Sequence, residues 1–180
     1  MRDFTPRGCD AKEGWIEIDF ALHEAGPVTI WALGARPGDP AVIAGPRGSM
    51  VVKRPIAHWV LVGDETALPS IGRRIEELAA GQAVTSLIAA QGPQDEQVLA
   101  TTANHRAIWV HRKDPTDATG LLAALRSLEL GPHTYVWIAA EASVARAAEA
   151  AALDMGLPPE WLRAAGYWLA GEADTAVKDL

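Results

Sequence analysis

Trp59-Val60-Leu61-Val62-Gly63-Asp64-Glu65-Thr66-Ala67-Leu68-Pro69 is the stretch that decides the fold. Four bulky apolar residues in succession, Trp59 to Val62, read as a strand buried on both faces, as in a parallel sheet. Gly63 is read as the end of that strand, Asp64 or Thr66 as a cap, and Pro69 as a first-turn residue of the next helix. Ile71, Ile75, Leu78 and Ala79 then recur at helical spacing and leave Arg73, Arg74, Glu76 and Glu77 on the polar side. A strand, a tight turn and a helix start together make the opening half of a nucleotide-binding unit when free backbone N–H groups there face a phosphate. The same pattern also serves as an ordinary strand-turn-helix with no ligand.

Downstream, strand and helix patterns alternate. Residues 84–90, 107–111, 135–140 and 166–168 read as strands, and 119–128, 141–153 and 159–164 as helices. This alternation predicts a five-stranded, doubly wound parallel sheet with helices on both faces. In the usual doubly wound order the first and fourth strands are neighbours, so the loops at 63–66 and 140–143 share one crevice. Upstream the rhythm differs. Residues 15–22 alternate apolar and polar like a half-buried strand, 28–34 suit one or two helical turns, and 41–44 suit a short strand between turns at 36–39 and 45–48. That is antiparallel β material with too few strands to close a barrel. A boundary at Arg54-Pro55 divides the chain into 1–54, 55–171 and a polar tail, 172–180.

Composition excludes several classes. The net charge of −7 argues against nucleic-acid binding, and 49% hydrophobic with 22% charged residues is the make-up of a folded chain. Cys9 has no second cysteine to pair with, which fits a reducing cytoplasm. No leader and no apolar run of spanning length is present in the sequence, so membrane insertion is not expected. Most of the seven tryptophans are read as core.

The segment Arg2-Asp3-Phe4-Thr5-Pro6-Arg7 carries a guanidinium, an aromatic ring and a hydroxyl in one short extended run. A guanidinium fork suits a pyrophosphate, a ring suits a planar heterocycle, and a hydroxyl can hydrogen-bond a ring nitrogen. This block is followed by Asp19-Phe20-Ala21-Leu22-His23, Gly26-Pro27-Val28-Thr29-Ile30-Trp31-Ala32 and Arg36-Pro37-Gly38-Asp39. Next come Gly45-Pro46-Arg47-Gly48-Ser49, the stretch from Gly63 to Pro69, Asp95-Glu96-Gln97, Glu141-Ala142-Ser143 and Gly166-Tyr167-Trp168. In this order, over nearly the whole chain, the blocks resemble the siderophore-interacting family of flavoproteins.

The resemblance implies an FAD-dependent ferric-siderophore reductase built like ferredoxin reductases. Residues 1–54 would be part of an FAD-binding β-barrel, and residues 55–171 an α/β domain that accepts NAD(P)H. Arg2 would bind the FAD phosphates, Phe4 would lie against the isoalloxazine, and Thr5 would approach N5. Asp19 and His23 would line the ribityl and phosphate channel, and Thr29 would face the pyrophosphate. Gly63, Asp64, Glu65, Thr66 and Glu141 would border the nicotinamide crevice. Arg47, Lys53 and Arg54 would be the cations that meet an anionic ferric siderophore, since Leu169-Ala170 follow Gly-Tyr-Trp where family members carry basic residues. Hydride would pass from the nicotinamide to FAD, and single electrons from there to chelated Fe(III), with no side chain as acid or base. Residues 89–91 bring no acidic group to an adenosine ribose, which leaves NADH and NADPH both open. Because the family has barrel strands ahead of its Arg-x-[Tyr/Phe]-Thr block, the chain is expected to be the C-terminal two-thirds of a longer protein. Two alternatives remain: a nucleotide-binding remnant without catalysis, or a flavin or ferredoxin-type reductase with another acceptor.

Overall fold

The protein is described by a computed structural model over residues 3–22, 27–45 and 51–172. The chain first reverses at Asp10, whose carboxylate accepts the N–H groups of Lys12 at 2.7 Å and Glu13 at 3.0 Å. Gly14 completes the turn at φ +73°, a region open to glycine at little cost. The flanking strands β1 (Gly8–Asp10) and β2 (Trp15–Glu17) pair antiparallel with each other. The alternation expected over 15–22 thus becomes a strand only as far as Glu17, because among the described residues no further strand lies alongside to take its backbone bonds. The strand expected at 41–44 is absent for the same reason, and Val42 there is fully exposed. Helix α1 (Pro27–Gly34) starts on proline and spans the turns expected near 28–34.

The five-stranded parallel sheet follows. Its strands are β3 (His58–Asp64), β4 (Ala83–Ala90), β5 (Asn104–His111), β6 (Thr134–Glu141) and β7 (Leu162–Trp168). They lie in the order β5-β4-β3-β6-β7, so the first and fourth sheet strands are neighbours, as the doubly wound reading requires. The run from Val60 to Val62 is almost wholly buried because this central strand is covered on both faces. On one face α2 (Leu68–Glu77) presents Leu68, Ile71, Gly72 and Ile75, the i, i+3, i+4, i+7 stripe, to Trp59, Leu61, Val84 and Ile88. On the other, α3 (Thr119–Arg126) and α4 (Ala142–Asp154) pack Leu121, Leu125, Val144 and a row of alanines against Val60, Val62, Leu87 and Ile138. Between β4 and β5 no α-helix intervenes. A 3₁₀ turn (Pro93–Asp95) and an extended loop carry Leu99 and Ala103 to the α2 side.

One further expectation is corrected. The helix read at 159–164 is a 3₁₀ turn (Pro159–Trp161), because the chain must already be extended at Leu162 to pair β7 with β6. Of the seven tryptophans only Trp59 is buried. Trp109 in β5, Trp137 in β6 and Trp161 in the 3₁₀ turn are half-buried and pack against the same core as Trp59, Trp168 ends β7, and Trp15 on the hairpin and Trp31 on α1 are exposed. No helix among the described residues is long and apolar enough to cross a membrane.

The N-terminal part is docked along α2. Arg7 forks onto Glu76, Arg73 donates to the Pro6 carbonyl at 2.8 Å, and the Thr5 hydroxyl lies 2.6 Å from that of Ser70. Its outer side stays apolar and open, with Trp15, Ile16, Leu22, Ile30 and Leu33 all exposed.

Two histidines tie β4 to its neighbours. His58 Nε2 lies 2.9 Å from Thr85 Oγ1, and His105 Nε2 lies 2.8 Å from Ser86 Oγ. Burial pulls both imidazoles below the ordinary histidine value. An unfolded histidine takes up its proton near pH ~6.5. The fold therefore keeps this contribution fully above that pH and loses it as the pH falls toward the folded values. Urea unfolding should show lower stability at pH ~5.5 than at pH ~7.5, and replacing both His58 and His105 with Gln should shrink the difference. An undiminished difference would assign the pH dependence to other groups.

Candidate functional site

The site forms at the carboxyl ends of β3, β6 and β7. Gly63 stands one residue inside β3, not at its end, since the strand runs through Asp64. A Cβ added at Gly63 would lie 2.6 Å from Ala67 Cβ and 2.7 Å from the Ala139 carbonyl oxygen. Glycine is thus required because the 3₁₀ turn Glu65–Ala67 folds directly back over the strand.

Asp64 is 1% exposed and accepts four hydrogen bonds. Oδ1 takes the Thr66 N–H at 2.9 Å and the Thr66 hydroxyl at 2.6 Å. Oδ2 takes the Glu141 N–H at 2.8 Å and the Trp168 indole N–H at 3.0 Å. Burial pushes the Asp64 carboxyl up, against the pull of these donors. Glu141, equally buried, caps α4 by accepting the N–H groups of Ser143 at 2.6 Å and Val144 at 3.2 Å, and the Ser143 hydroxyl. Its other oxygen accepts Ala170 N–H at 3.2 Å. Burial opposes ionisation of Glu141, but the bonds from Ser143, Ala170 and Val144 outweigh it and hold the carboxyl below its ordinary range.

These caps correct the expectation of free N–H groups facing a phosphate. The amides of Thr66, Ser143 and Val144, at the starts of the two helical segments, are already given to the protein's own carboxylates. Glu65, the third acidic residue here, is held bidentately by Arg112, at 3.0 and 2.9 Å. Arg112 is 8% exposed, and its buried Nε has no partner among the described residues. Arg112 escaped the sequence reading; its signal was its position one residue beyond a sheet strand, where ligand-site residues of such folds concentrate.

The N-terminal candidates fall into four groups. Phe4 is 41% exposed and backed by Phe20 at 5.0 Å between ring centroids, which in turn meets Trp31 at 6.0 Å. One ring thus stands open with a second behind it, a platform suited to a planar heterocycle, and Thr5 adjoins it through its contact with Ser70. Asp19 lies 3.9 Å from the Arg7 guanidinium, and Thr29 is buried in α1. Arg2, His23 and Arg47 lie outside the described residues. Lys53 and Arg54 lie elsewhere: they line a pocket of about 190 Å³ with Val52, Tyr135 and Glu160, at the amino ends of the sheet strands. Arg54 rests on the Trp161 ring, 5.3 Å from its centroid. The sheet separates these two cations from Asp64 and Glu141.

Residues 56–171 match the siderophore-interacting protein family, and residues 1–50 match the siderophore-interacting FAD-binding domain. The chain belongs to the siderophore-interacting protein family. Among relatives of this siderophore-interacting protein, the NADPH-dependent ferric-chelate reductase of Escherichia coli K12 is 33% identical over 176 residues, 93% of this chain and 65% of that relative. The chain thus spans about two-thirds of that relative's length. A siderophore utilization protein from T. fusca superposes with a TM-score of 0.87 at 36% identity, over 97% of this chain and 68% of that one. The siderophore-interacting protein SipS from Aeromonas hydrophila superposes with a TM-score of 0.86 at 28% identity, over 96% and 69%.

The Asp64 knot gives a direct test of the geometry. Asp64→Asn keeps the shape but turns an amide nitrogen toward N–H donors on one side or the other. Leaving a buried donor without an acceptor costs about 2 kcal/mol. Denaturant unfolding should therefore show Asp64→Asn destabilised by about that amount, and equal stability would mean that the carboxylate is not the acceptor shared by Thr66, Glu141 and Trp168.

Proposed function

We propose that this siderophore-interacting protein moves electrons from NAD(P)H through FAD to a chelated ferric ion, releasing the iron from its siderophore. The observation that carries the reading is the contact of Thr5 with Ser70. It sets the segment that resembles a flavin site against the first turn of α2, which opens from the acidic crevice. In this proposal residues 1–54 hold the flavin, residues 55–171 receive the nicotinamide nucleotide, and 172–180 form a tail. The compartment is the cytoplasm, where the exposed Cys9 would stay reduced.

Bound FAD supplies what no side chain here can, acceptance of a hydride and release of electrons one at a time. The residues provide binding and orientation. Phe4, backed by Phe20, offers the stacking face, and Thr5 the neighbouring hydroxyl. Arg2, Asp19, His23 and Thr29 are the proposed contacts to the rest of the flavin. Gly63, Asp64, Glu65, Thr66 and Glu141 shape the crevice, and its carboxylates fit the nicotinamide end of the nucleotide better than the diphosphate. Arg47, Lys53 and Arg54 are the proposed cations for the siderophore. The carboxylate caps on the 3₁₀ turn after β3 and on α4 favour one competing reading, a remnant that binds no nucleotide. Flavin titration separates the two: quenching of FAD fluorescence supports the reductase, and its absence at high micromolar FAD supports the remnant.

Thr66 tests the nucleotide's approach. Its side chain is half-buried at the crevice with its hydroxyl on Asp64, so Thr66→Trp should slow flavin reduction by NAD(P)H at least tenfold. Oxidation of dithionite-reduced flavin by a ferric siderophore should keep its rate. Stopped-flow absorbance resolves the two half-reactions. Wild-type flavin reduction in Thr66→Trp would show that the nucleotide enters elsewhere.

A further inference from the structure

Thr5, Pro6 and Arg7 meet Ser70, Arg73 and Glu76 in succession, one helical turn of α2 for each residue of the extended segment. The backbone is pinned at Pro6 by Arg73 and the side chain of Arg7 by Glu76, so Thr5 is brought to Ser70 by its neighbours on both sides. Ser70 then makes a second contact on its far side, with the Tyr167 hydroxyl of β7 at 3.2 Å. Three hydroxyls from three elements thus form a line: Tyr167, Ser70, Thr5. Tyr167 is half-buried, and burial pushes its phenol up while its bonds to Ser70 and Thr5 hold it back.

A line of hydroxyls has a direction. A phenol is a stronger acid than an alcohol, so the favoured order has Tyr167 donating to Ser70 and Ser70 donating to Thr5. In that order the Thr5 hydrogen is not used by Ser70 and can be given to a ligand. Without Tyr167, Ser70 is free to accept, and Thr5 can spend its hydrogen internally.

We propose that Ser70 and Tyr167 are positioning residues that set the Thr5 hydroxyl as a hydrogen-bond donor toward the flavin ring. This rests on the reading of residues 1–54 as a flavin site. Neither residue touches the flavin in this arrangement; both act through Thr5. The oxidised flavin ring has acceptor nitrogen and oxygen atoms on the edge that Thr5 would face, and loss of a single neutral hydrogen bond there weakens binding by about fivefold.

The test is FAD titration of the purified chain, with the visible spectrum of the bound flavin recorded alongside. Tyr167→Phe, which lets Thr5 donate back to Ser70, and Ser70→Ala, which removes the group that holds the Thr5 hydroxyl in position, should each weaken FAD about fivefold and move the flavin absorption toward that of free FAD. Ser70→Thr, which keeps the hydroxyl, should restore both. Thr5→Val should reproduce the loss, and adding Ser70→Ala to it should change nothing more, because the line then ends nowhere. If the wild type binds FAD and Tyr167→Phe and Ser70→Ala match it in affinity and spectrum, the positioning role is wrong and the flavin site stands. If Thr5→Val and Ser70→Ala weaken binding additively, the two hydroxyls act separately and the line is refuted. If the wild-type chain binds no FAD, the flavin reading fails and this inference fails with it.

Discussion

Asp64 accepts hydrogen bonds from residues 2, 77 and 104 positions away in sequence, all on one buried carboxylate. That single group joins the end of β3 to the start of α4 and to the last residue of β7. A buried carboxylate with fewer donors would be costly enough to pull water in or stay protonated. With four, it becomes a fixed point from which the crevice is built. Gly63 makes the knot possible, since a side chain there would collide with Ala67 and with the β6 backbone and lift the 3₁₀ turn off the strand.

The acidic residues of the crevice serve the fold first. Asp64 and Glu141 absorb amides that a phosphate-binding helix start would offer outward, and Arg112 neutralises Glu65. Fewer free amides are thus left at these two loops for a bound anion. What the sheet keeps is a pre-organised polar edge at the carboxyl ends of β3 and β6. For the proposed reaction, in which cofactors carry the redox chemistry, orientation of two flat rings is the task left to the protein. Fixed dipoles and a rigid floor suit that task.

The two parts of the chain are stabilised differently. The sheet buries a continuous core on both faces. The N-terminal part has two short strands paired with each other and a polar line of contacts along α2, and it leaves much of its apolar surface open. Its position thus depends on Arg7, Arg73, Glu76 and the hydroxyl line rather than on hydrophobic burial, which makes the junction sensitive to single polar substitutions.

Most of the sheet was legible in the sequence. The runs at 59–62 and 135–140, the stripe of Ile71 and Ile75, and the alanine row of α4 carry their periodicity locally, and periodicity reports which faces are buried. The family blocks were legible too, because they are short contiguous words. What only the tertiary structure decided depends on partners remote in sequence. The strand expected over 15–22 stops at Glu17 because strand formation needs a neighbour, which no local pattern announces. Of the tryptophans only Trp59 is buried, while Trp109, Trp137 and Trp161 pack against the core half-exposed, because an indole can serve an edge as well as an interior. Lys53 and Arg54 end up across the sheet from the crevice because strand direction, not sequence proximity, sets which end a residue reaches. Arg112 meets Glu65, and Tyr167 meets Ser70, across 47 and 97 positions of chain. Hydrogen bonds act over about 3 Å, and only the folded sheet brings such pairs within that distance.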